Sequence, residues 1–148
     1  MSKRFANTIK TVVLLAAVAG IAYFGHLEYQ SHLGRQAIKS TGLEILDLDA
    51  ALAKSAISGK PVLADLSAIW CPSCHRLDKE VLGDTAVRSK INADYVYARV
   101  EYDSPQGREF MQRYQLSGFP SLIVLDSKGV KIKQLPLSFS PATFIKAL

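Results

Sequence analysis

The sequence has 148 residues, of which 49% are hydrophobic and 21% are charged. This length fits one ordinary domain plus a short additional segment, and the composition suffices for a hydrophobic core, which excludes a disordered chain. The net charge of +5 includes three basic residues before residue 11, and the later basic residues are interspersed with acidic ones, so no nucleic-acid partner is predicted.

The first 27 residues are predicted to be a membrane-targeting segment. The basic residues Lys3, Arg4 and Lys10 precede an uncharged stretch at 11–27 that is apolar on all sides. A buried core helix would carry polar residues on one face at helical spacing, so this alternative is disfavoured. Positive charge before the stretch predicts a cytoplasmic N-terminus, with the rest of the chain beyond the membrane.

Two fates of this segment are compatible with its length, which falls between a signal peptide and a comfortable membrane span. Tyr23, Phe24 and Tyr29 suit a membrane interface, so an uncleaved anchor is the favoured interpretation. It predicts a single-pass protein of the bacterial inner membrane, with residues 28–42 as a tether and residues 43–148 as a periplasmic domain. Cleavage near Ala17-Val18-Ala19, with secretion to the periplasm, is the alternative.

From residue 43 the chain is predicted to alternate between helices and strands. Asp47 is a favourable N-cap for a helix to Ser58, and an apolar strand at 61–67 runs directly into Cys71 and Cys74 at the start of the next helix. The later predictions are a helix from Asp84 to about Ile91, a strand at 95–102, a helix capped by Ser104 and weakened by Gly107, a hairpin of strands at 121–125 and 130–134, and a final helix from Ser140 to Leu148. This order predicts one α/β sandwich in which a parallel βαβ unit is followed by an antiparallel hairpin.

The feature with the clearest chemical meaning is Cys71-Pro72-Ser73-Cys74. A thiolate is the attacking species in disulfide exchange, and a helix N-terminus stabilises negative charge. Cys71 is therefore the predicted nucleophile, and Cys74, about one turn deeper, is predicted to attack the resulting mixed disulfide. The sequence contains two cysteines in total, so it has no second pair for a structural disulfide or a four-cysteine zinc site.

Alternatives remain for the residues around this motif. A zinc site would need two further ligands, and His26 and His32 fall in the N-terminal segment and tether, so no metal site is predicted. Copper(I) needs fewer ligands and is suited to thiolates, so a copper(I) carrier stays open. His75 is expected to point into solvent. Asp65, on an apolar strand, is interpreted either as a functional carboxyl with a raised pKa or as a hydrogen-bonded structural residue.

Two segments of the sequence resemble the thioredoxin superfamily: residues 65–74, with Trp70 before the first cysteine, and Gly118-Phe119-Pro120-Ser121. The similarity extends from residue 46 to residue 148. Residues 59–62 and 140–144 are most similar to the C-terminal thioredoxin domain of the bacterial transmembrane thiol-disulfide interchange protein. The Trp-Cys-Pro-x-Cys pattern also resembles the anchored thioredoxins of cytochrome c maturation. The resemblance implies a thioredoxin-like sandwich with a central mixed sheet flanked by helices.

The resemblance also implies roles for individual residues. Pro120 matches the family's cis-proline, whose loop packs beside the two cysteines and presents backbone to an extended substrate. Asp65 matches a buried acid that exchanges a proton with the resolving cysteine through water, and Arg99 lies near the position of a family lysine. Trp70 is expected to cover the disulfide and shape the substrate groove. Phe119 is bulkier than the residue common there, so the groove is expected to differ.

The predicted function is that of a membrane-tethered thiol-disulfide oxidoreductase that reduces protein disulfides without a cofactor. Its implied partners are disulfide-containing substrate proteins and an upstream membrane thiol donor. The preference for reduction rests on the resemblance, because the Pro72-Ser73 pair does not reveal the direction of electron flow. The alternatives are the copper(I) carrier and a non-catalytic module that binds extended peptides along the Pro120 loop.

Overall fold

A long N-terminal helix leads into a four-stranded sheet that is covered by helices on both faces. The computed structural model describes the backbone from residue 3 to residue 148 and the side chains from residue 7 onward. The basic side chains predicted to set the membrane orientation at Lys3 and Arg4 therefore lie outside the described side chains. The helices are α1 Lys3–Thr41, α2 Leu48–Ser58, α3 Pro72–Leu77, α4 Thr85–Asp94, α5 Pro105–Arg113 and α6 Pro141–Ala147. The strands are β1 Val62–Ser67, β2 Val96–Glu101, β3 Ser121–Leu125 and β4 Lys131–Gln134.

The sheet has the strand order β2-β1-β3-β4 and is mixed. Strand β1 pairs in parallel with β2 and antiparallel with β3, and β3 pairs antiparallel with β4. These pairings confirm the predicted βαβ unit and hairpin. Every residue of β1 is buried, because this strand is central and both of its faces are covered.

Two hydrophobic clusters fill the layers on either side of the sheet. One cluster joins alternate residues of β1 and β2 to α2 and α5, and includes Val62, Ala64, Val96, Ala98 and Phe110. The other joins the opposite face of the sheet to α3, α4 and α6, and includes Leu63, Leu77, Val87, Ile91 and Phe144. The predicted α/β sandwich is confirmed, with Val96, Ala98 and Val100 on one face of β2 as their alternation indicates.

The predicted helix starts are also confirmed by side-chain caps. Asp47, Asp84, Ser104 and Ser140 each accept a hydrogen bond from a backbone N–H in the first turn of the helix that follows. Gly107 has a structural role beyond the weakening expected of it. A Cβ atom there would lie 2.0 Å from the carbonyl oxygen of Glu101, so glycine allows α5 to begin close against the end of β2.

Helix α1 changes character along its length. Its apolar side chains up to residue 24 are exposed, and it is long and apolar enough to cross a membrane by length and composition. The segment predicted as a tether is helical up to Thr41, and its last turns pack on α3 and on the π-helical turn at 78–82 that extends α3. Gly34, Ala37 and Thr41 form the buried stripe of this part, at the spacing of one helix face.

Candidate active site

The two cysteines lie where β1 leaves the sheet and α3 begins. Cys71 is the N-cap of α3, and Pro72 occupies the first turn, where its missing N–H costs no hydrogen bond. The Cys71 sulfur accepts a hydrogen bond from the backbone N–H of Cys74 at 3.2 Å and lies 3.1 Å from the Ser73 hydroxyl. Cys71 therefore lies at the start of a helix with its sulfur bonded to a backbone N–H, the position that its predicted role as nucleophile requires.

Cys74 lies deeper and in a different environment. Its side chain is buried in a small cluster with Ala68 and Cys71. Burial raises the pKa of the Cys74 thiol and the neighbouring Cys71 raises it further, whereas hydrogen bonds from Ser67 and Ala68 lower it. Cys74 therefore holds its proton at neutral pH and needs a proton acceptor before it can attack a disulfide.

Behind Cys74 lies a group of five polar side chains, called here the buried polar cluster: Asp65, Ser67, Asp78, Tyr97 and Arg99. The sheet register places Asp65 directly beside Arg99. The Arg99 guanidinium lies 3.4 Å from Asp65 and donates to both carboxylate oxygens of Asp78, at 3.0 and 3.1 Å. The Tyr97 hydroxyl donates to Asp65 at 3.0 Å. One cation is therefore shared between two buried carboxyl groups.

The protonation of Asp65 is set chiefly by burial. Burial raises the pKa of Asp65 from 3.8 to about 6, although the positive charge of Arg99 opposes the change. Burial also raises the pKa of Asp78, again against the opposing charge of Arg99. In the described part of the chain, the Oδ1 atom of Asp65 is buried and has no hydrogen-bond partner. Asp65 is thus a buried carboxyl group that changes protonation near neutrality and has one oxygen available to a proton.

Ser67 connects the buried polar cluster to Cys74. Its hydroxyl oxygen accepts a hydrogen bond from Arg99 at 2.7 Å. The single hydroxyl proton of Ser67 therefore remains available for the sulfur of Cys74, where it stabilises the thiolate and lowers the pKa. Ser67 therefore lies between Arg99 and Cys74 and interacts with both.

Aromatic side chains surround the other side of the motif. The Phe119–Pro120 peptide bond is cis, and Phe119 packs edge-to-face on Trp70 with ring centroids 5.6 Å apart and against Tyr102 at 4.8 Å. Trp70, Tyr102 and Phe119 pack against the cluster that contains both cysteines. The Trp70 indole N–H donates to Asp103 at 2.6 Å. The structure thus brings the predicted residues Trp70, Phe119 and Pro120 together beside Cys71.

A shallow groove of about 310 Å³ borders the cis-proline loop. Its walls include Gly118, Pro120, Leu122, Gln134 and Leu137, so one side is backbone and the other is the start of the segment after β4. Leu137 is 52% exposed there. An open groove of mixed polarity along the cis-proline loop suits an extended peptide segment.

Comparison with known proteins decides the family to which this arrangement belongs. A family model described as a thioredoxin-like domain matches residues 48–148. The chain belongs to this thioredoxin-like family. It is 39% identical over 86 residues to thiol:disulfide interchange protein DsbD 1 of Pseudomonas aeruginosa, an alignment that covers 55% of this chain and 14% of that protein. The chain therefore spans about one seventh of the length of that relative.

Solved structures show the same thioredoxin-like fold. A thioredoxin from Thermus thermophilus matches with a TM-score of 0.64 and 30% identity, over 70% of this chain and 82% of that chain. The oxidised C-terminal domain of Neisseria meningitidis DsbD matches with a TM-score of 0.55 and 24% identity, over 66% and 85% of the two chains. The resemblance and the fold class predicted from the sequence are confirmed.

The expectation that His75 points into solvent is wrong. His75 is 6% exposed, and its Nε2 donates to the carbonyl oxygen of Ile69 at 2.7 Å. The reason is the packing of α1, since a Cβ atom on Gly34 would lie 2.7 Å from the same nitrogen. His75 is therefore hydrogen-bonded to the loop before Cys71 and is buried.

Three residues of the buried polar cluster, Ser67, Asp78 and Tyr97, were not predicted from the sequence as site residues. A signal for Asp78 was present, because it follows Cys74 by four residues and Cys71 by seven and so lies on the same helix face. Tyr97 and Arg99 alternate with the apolar residues of β2, which places them on the opposite face of the strand. What the sequence lacked was the pairing that brings this face of β2 beside Asp65 in the thioredoxin-like sheet.

Proposed function

We propose that this chain is a membrane-tethered thiol-disulfide oxidoreductase that reduces protein disulfides. The observation that carries the proposal is the difference between the two cysteines at the start of α3. Cys71 receives a backbone N–H bond at the helix N-terminus, whereas Cys74 is buried with a raised pKa. This arrangement suits a nucleophile that is ready to attack and a second thiol that waits for a mixed disulfide.

The exchange takes place in two displacement steps. The Cys71 thiolate attacks one sulfur of the substrate disulfide, so that a Cys71–substrate bond forms and the other substrate sulfur leaves as a thiolate, which takes a proton. Cys74 then loses its proton and attacks the Cys71 sulfur, which forms the Cys71–Cys74 disulfide and releases the second substrate thiolate. Two electrons pass from the cysteine pair to the substrate, which ends as two thiols.

Asp65 is the proposed acceptor of the Cys74 proton, through water. Its pKa of about 6 leaves it ionised at neutral pH, and its unpaired Oδ1 is buried. Arg99 does not lose its proton and cannot carry the transfer. Ser67, whose hydroxyl oxygen accepts from Arg99, stabilises the Cys74 thiolate once it forms. The buried polar cluster would in this way serve the second step and leave the first step to Cys71.

The proposed substrates are proteins with a disulfide in an extended segment, which would lie along Trp70, Phe119 and Pro120. The oxidised enzyme needs two electrons from a dithiol to return to its reduced form, and an upstream membrane thiol donor is the proposed source. The long apolar helix α1 supports a location in a bacterial inner membrane with the domain in the periplasm. The interchange activity named for its relatives supports the same chemistry.

The proposal is tested with the full chain in detergent micelles, because α1 packs on α3 and belongs to the folded domain. We expect the chain to reduce insulin disulfides with dithiothreitol as reductant, and Cys71→Ser to abolish this activity. Equilibration in thiol buffers should give a reduction potential near that of thioredoxin, about −270 mV, whereas a value near −120 mV would indicate an oxidant. Stoichiometric copper(I) binding without disulfide turnover would instead favour the copper(I) carrier.

A further inference from the structure

Helix α1 connects the apolar segment to the active site without a break. It is one α-helix from Lys3 to Thr41, exposed and apolar in its first part and buried along Gly34, Ala37 and Thr41 in its last part. With a rise of 1.5 Å per residue, Gly34 lies roughly 10 Å beyond Leu27, where the apolar stretch ends. A continuous helix that packs on the domain fixes this height, which a flexible tether would not do.

The contacts of α1 show which end of the domain is nearest the apolar segment. A Cβ atom on Gly34 would lie 2.0 Å from the carbonyl oxygen of Ile69, two residues before Cys71. Seven residues further along α1, the carbonyl oxygen of Thr41 accepts a hydrogen bond from Arg88, which lies beyond the π-helical turn, at 3.5 Å. Helices α1 and α3 therefore run in the same direction, and the end of α3 that carries Cys71 is the end nearest the apolar segment.

The substrate-facing residues lie at this same end. Residue Leu66 at the end of β1 pairs with Ser121 at the start of β3, immediately after the cis-proline loop. At the other end of these strands, Val62 pairs with Leu125, so the β3–β4 turn is farthest from the apolar segment. The cysteine motif and the cis-proline loop therefore share the side of the domain that α1 turns toward its apolar part.

From this geometry we propose that α1 holds the active site against the membrane surface, so that the enzyme exchanges with cysteine pairs that membrane proteins carry at that surface. The inference rests on the proposed membrane insertion and exchange activity. The headgroup layer occupies roughly 5–7 Å beyond the hydrocarbon core, so Gly34, about 10 Å along the helix beyond the apolar stretch, lies just outside it. The loop before Cys71 packs on Gly34 at this height. A disulfide that is held at the membrane surface encounters Cys71 repeatedly. A soluble protein would have to enter the gap between the domain and the bilayer to reach Cys71.

The test uses the full chain reconstituted in lipid vesicles and a fluorescence-quenched disulfide peptide in two forms. One form is attached to a lipid headgroup by a spacer of about 10 Å, and the other is free in solution. A helical insertion of 18 residues between Leu27 and Glu28 would add five turns, raise the site by about 27 Å and preserve its rotational phase. A Gly-Ser insertion of the same length and position is the matched control, because it adds reach without fixing the height.

We expect the helical insertion to slow reduction of the lipid-attached peptide at least about tenfold and the flexible insertion to slow it less than about threefold. The free peptide should react equally with all three chains, since the insertions leave the docked turns of α1 unchanged. The inference is overturned if the helical insertion changes the lipid-attached rate less than twofold, or if the chain does not float with the vesicles. Failure of the unmodified chain to reduce the free peptide would refute the proposed function itself.

Discussion

Cys71 and Cys74 are one helical turn apart, yet the regions around them are built differently. Around Cys71 the neighbours are aromatic rings and a cis-proline loop beside an open groove. Behind Cys74 lies the buried polar cluster, in which two carboxyl groups share the guanidinium of Arg99. In the proposed exchange, the outer region would contact the substrate and the inner region would accept the proton of Cys74. This difference indicates that the two steps of exchange depend on separate residues and can be disturbed separately.

Replacing either cysteine is expected to have the largest effect and to separate the two regions most clearly. Cys71→Ser should abolish both exchange and capture of a disulfide substrate, because the remaining thiol of Cys74 is buried and holds its proton. Cys74→Ser should still attack but should accumulate the mixed disulfide, because nothing resolves it. Non-reducing gels and mass spectrometry with a disulfide peptide check this. Equal loss of adduct in both variants would contradict the assigned order of attack.

Removing the cation of the buried polar cluster is the next largest disturbance. Arg99→Met leaves Asp65 and Asp78 buried without their shared partner, and we expect the free energy of unfolding to fall by about 3–5 kcal/mol. The matched control is Lys90→Met, which removes a cation from an exposed pair with Asp94 and should leave the free energy of unfolding nearly unchanged. Urea unfolding of both variants at pH 7 measures the difference. Similar losses in the two variants would show that the cluster does not depend on Arg99.

The pH dependence of stability tests the inner region through Asp65. Its pKa is raised by burial from 3.8 to about 6, so the stability that its proton provides is present below pH 3.8 and is lost as the pH rises through about 6. This increase in the pKa of Asp65 corresponds to about 3 kcal/mol in the free energy of unfolding. In Asp65→Asn, the decrease in the free energy of unfolding that Asp65 causes with rising pH should disappear. Urea unfolding between pH 4 and pH 8 measures this decrease. Asp94→Asn, at an exposed position, should keep the slope of the unmodified chain.

Ser67→Ala is expected to have the smallest effect and to act on the second step alone. It removes the hydroxyl that accepts from Arg99 and stabilises the Cys74 thiolate. Loss of about 1 kcal/mol from this hydrogen bond would slow resolution of the mixed disulfide about fivefold. Stopped-flow measurement of both steps checks it, with attack by Cys71 expected to stay unchanged. A slower first step would show that the two regions are not independent.

Much of the domain was predictable because its signals are local. The caps Asp47, Asp84 and Ser104 precede their helices directly, and the alternation of β2 identifies its buried face without knowledge of any partner. The nucleophilic position of Cys71 follows from its place at a helix start for the same reason. The domain boundaries and the roles of the individual site residues stay predictions until such variants are measured.

Other features depended on contacts between distant segments. His75 was expected in solvent, but the packing of α1 against the loop at Ile69 buries it. Asp78 carried a spacing signal, but its significance depends on Arg99, twenty-one residues away in β2.

The sequence by itself determined the order of elements, the apolar segment and the reactive pair, since short-range backbone preferences and hydrophobic periodicity are properties of neighbouring residues. Tertiary structure alone decided which charges share the interior and which end of the domain lies nearest the apolar segment of α1. Both depend on the register of β1 with β2 and on the close approach of Gly34 to Ile69, which bring together residues that are far apart in the chain.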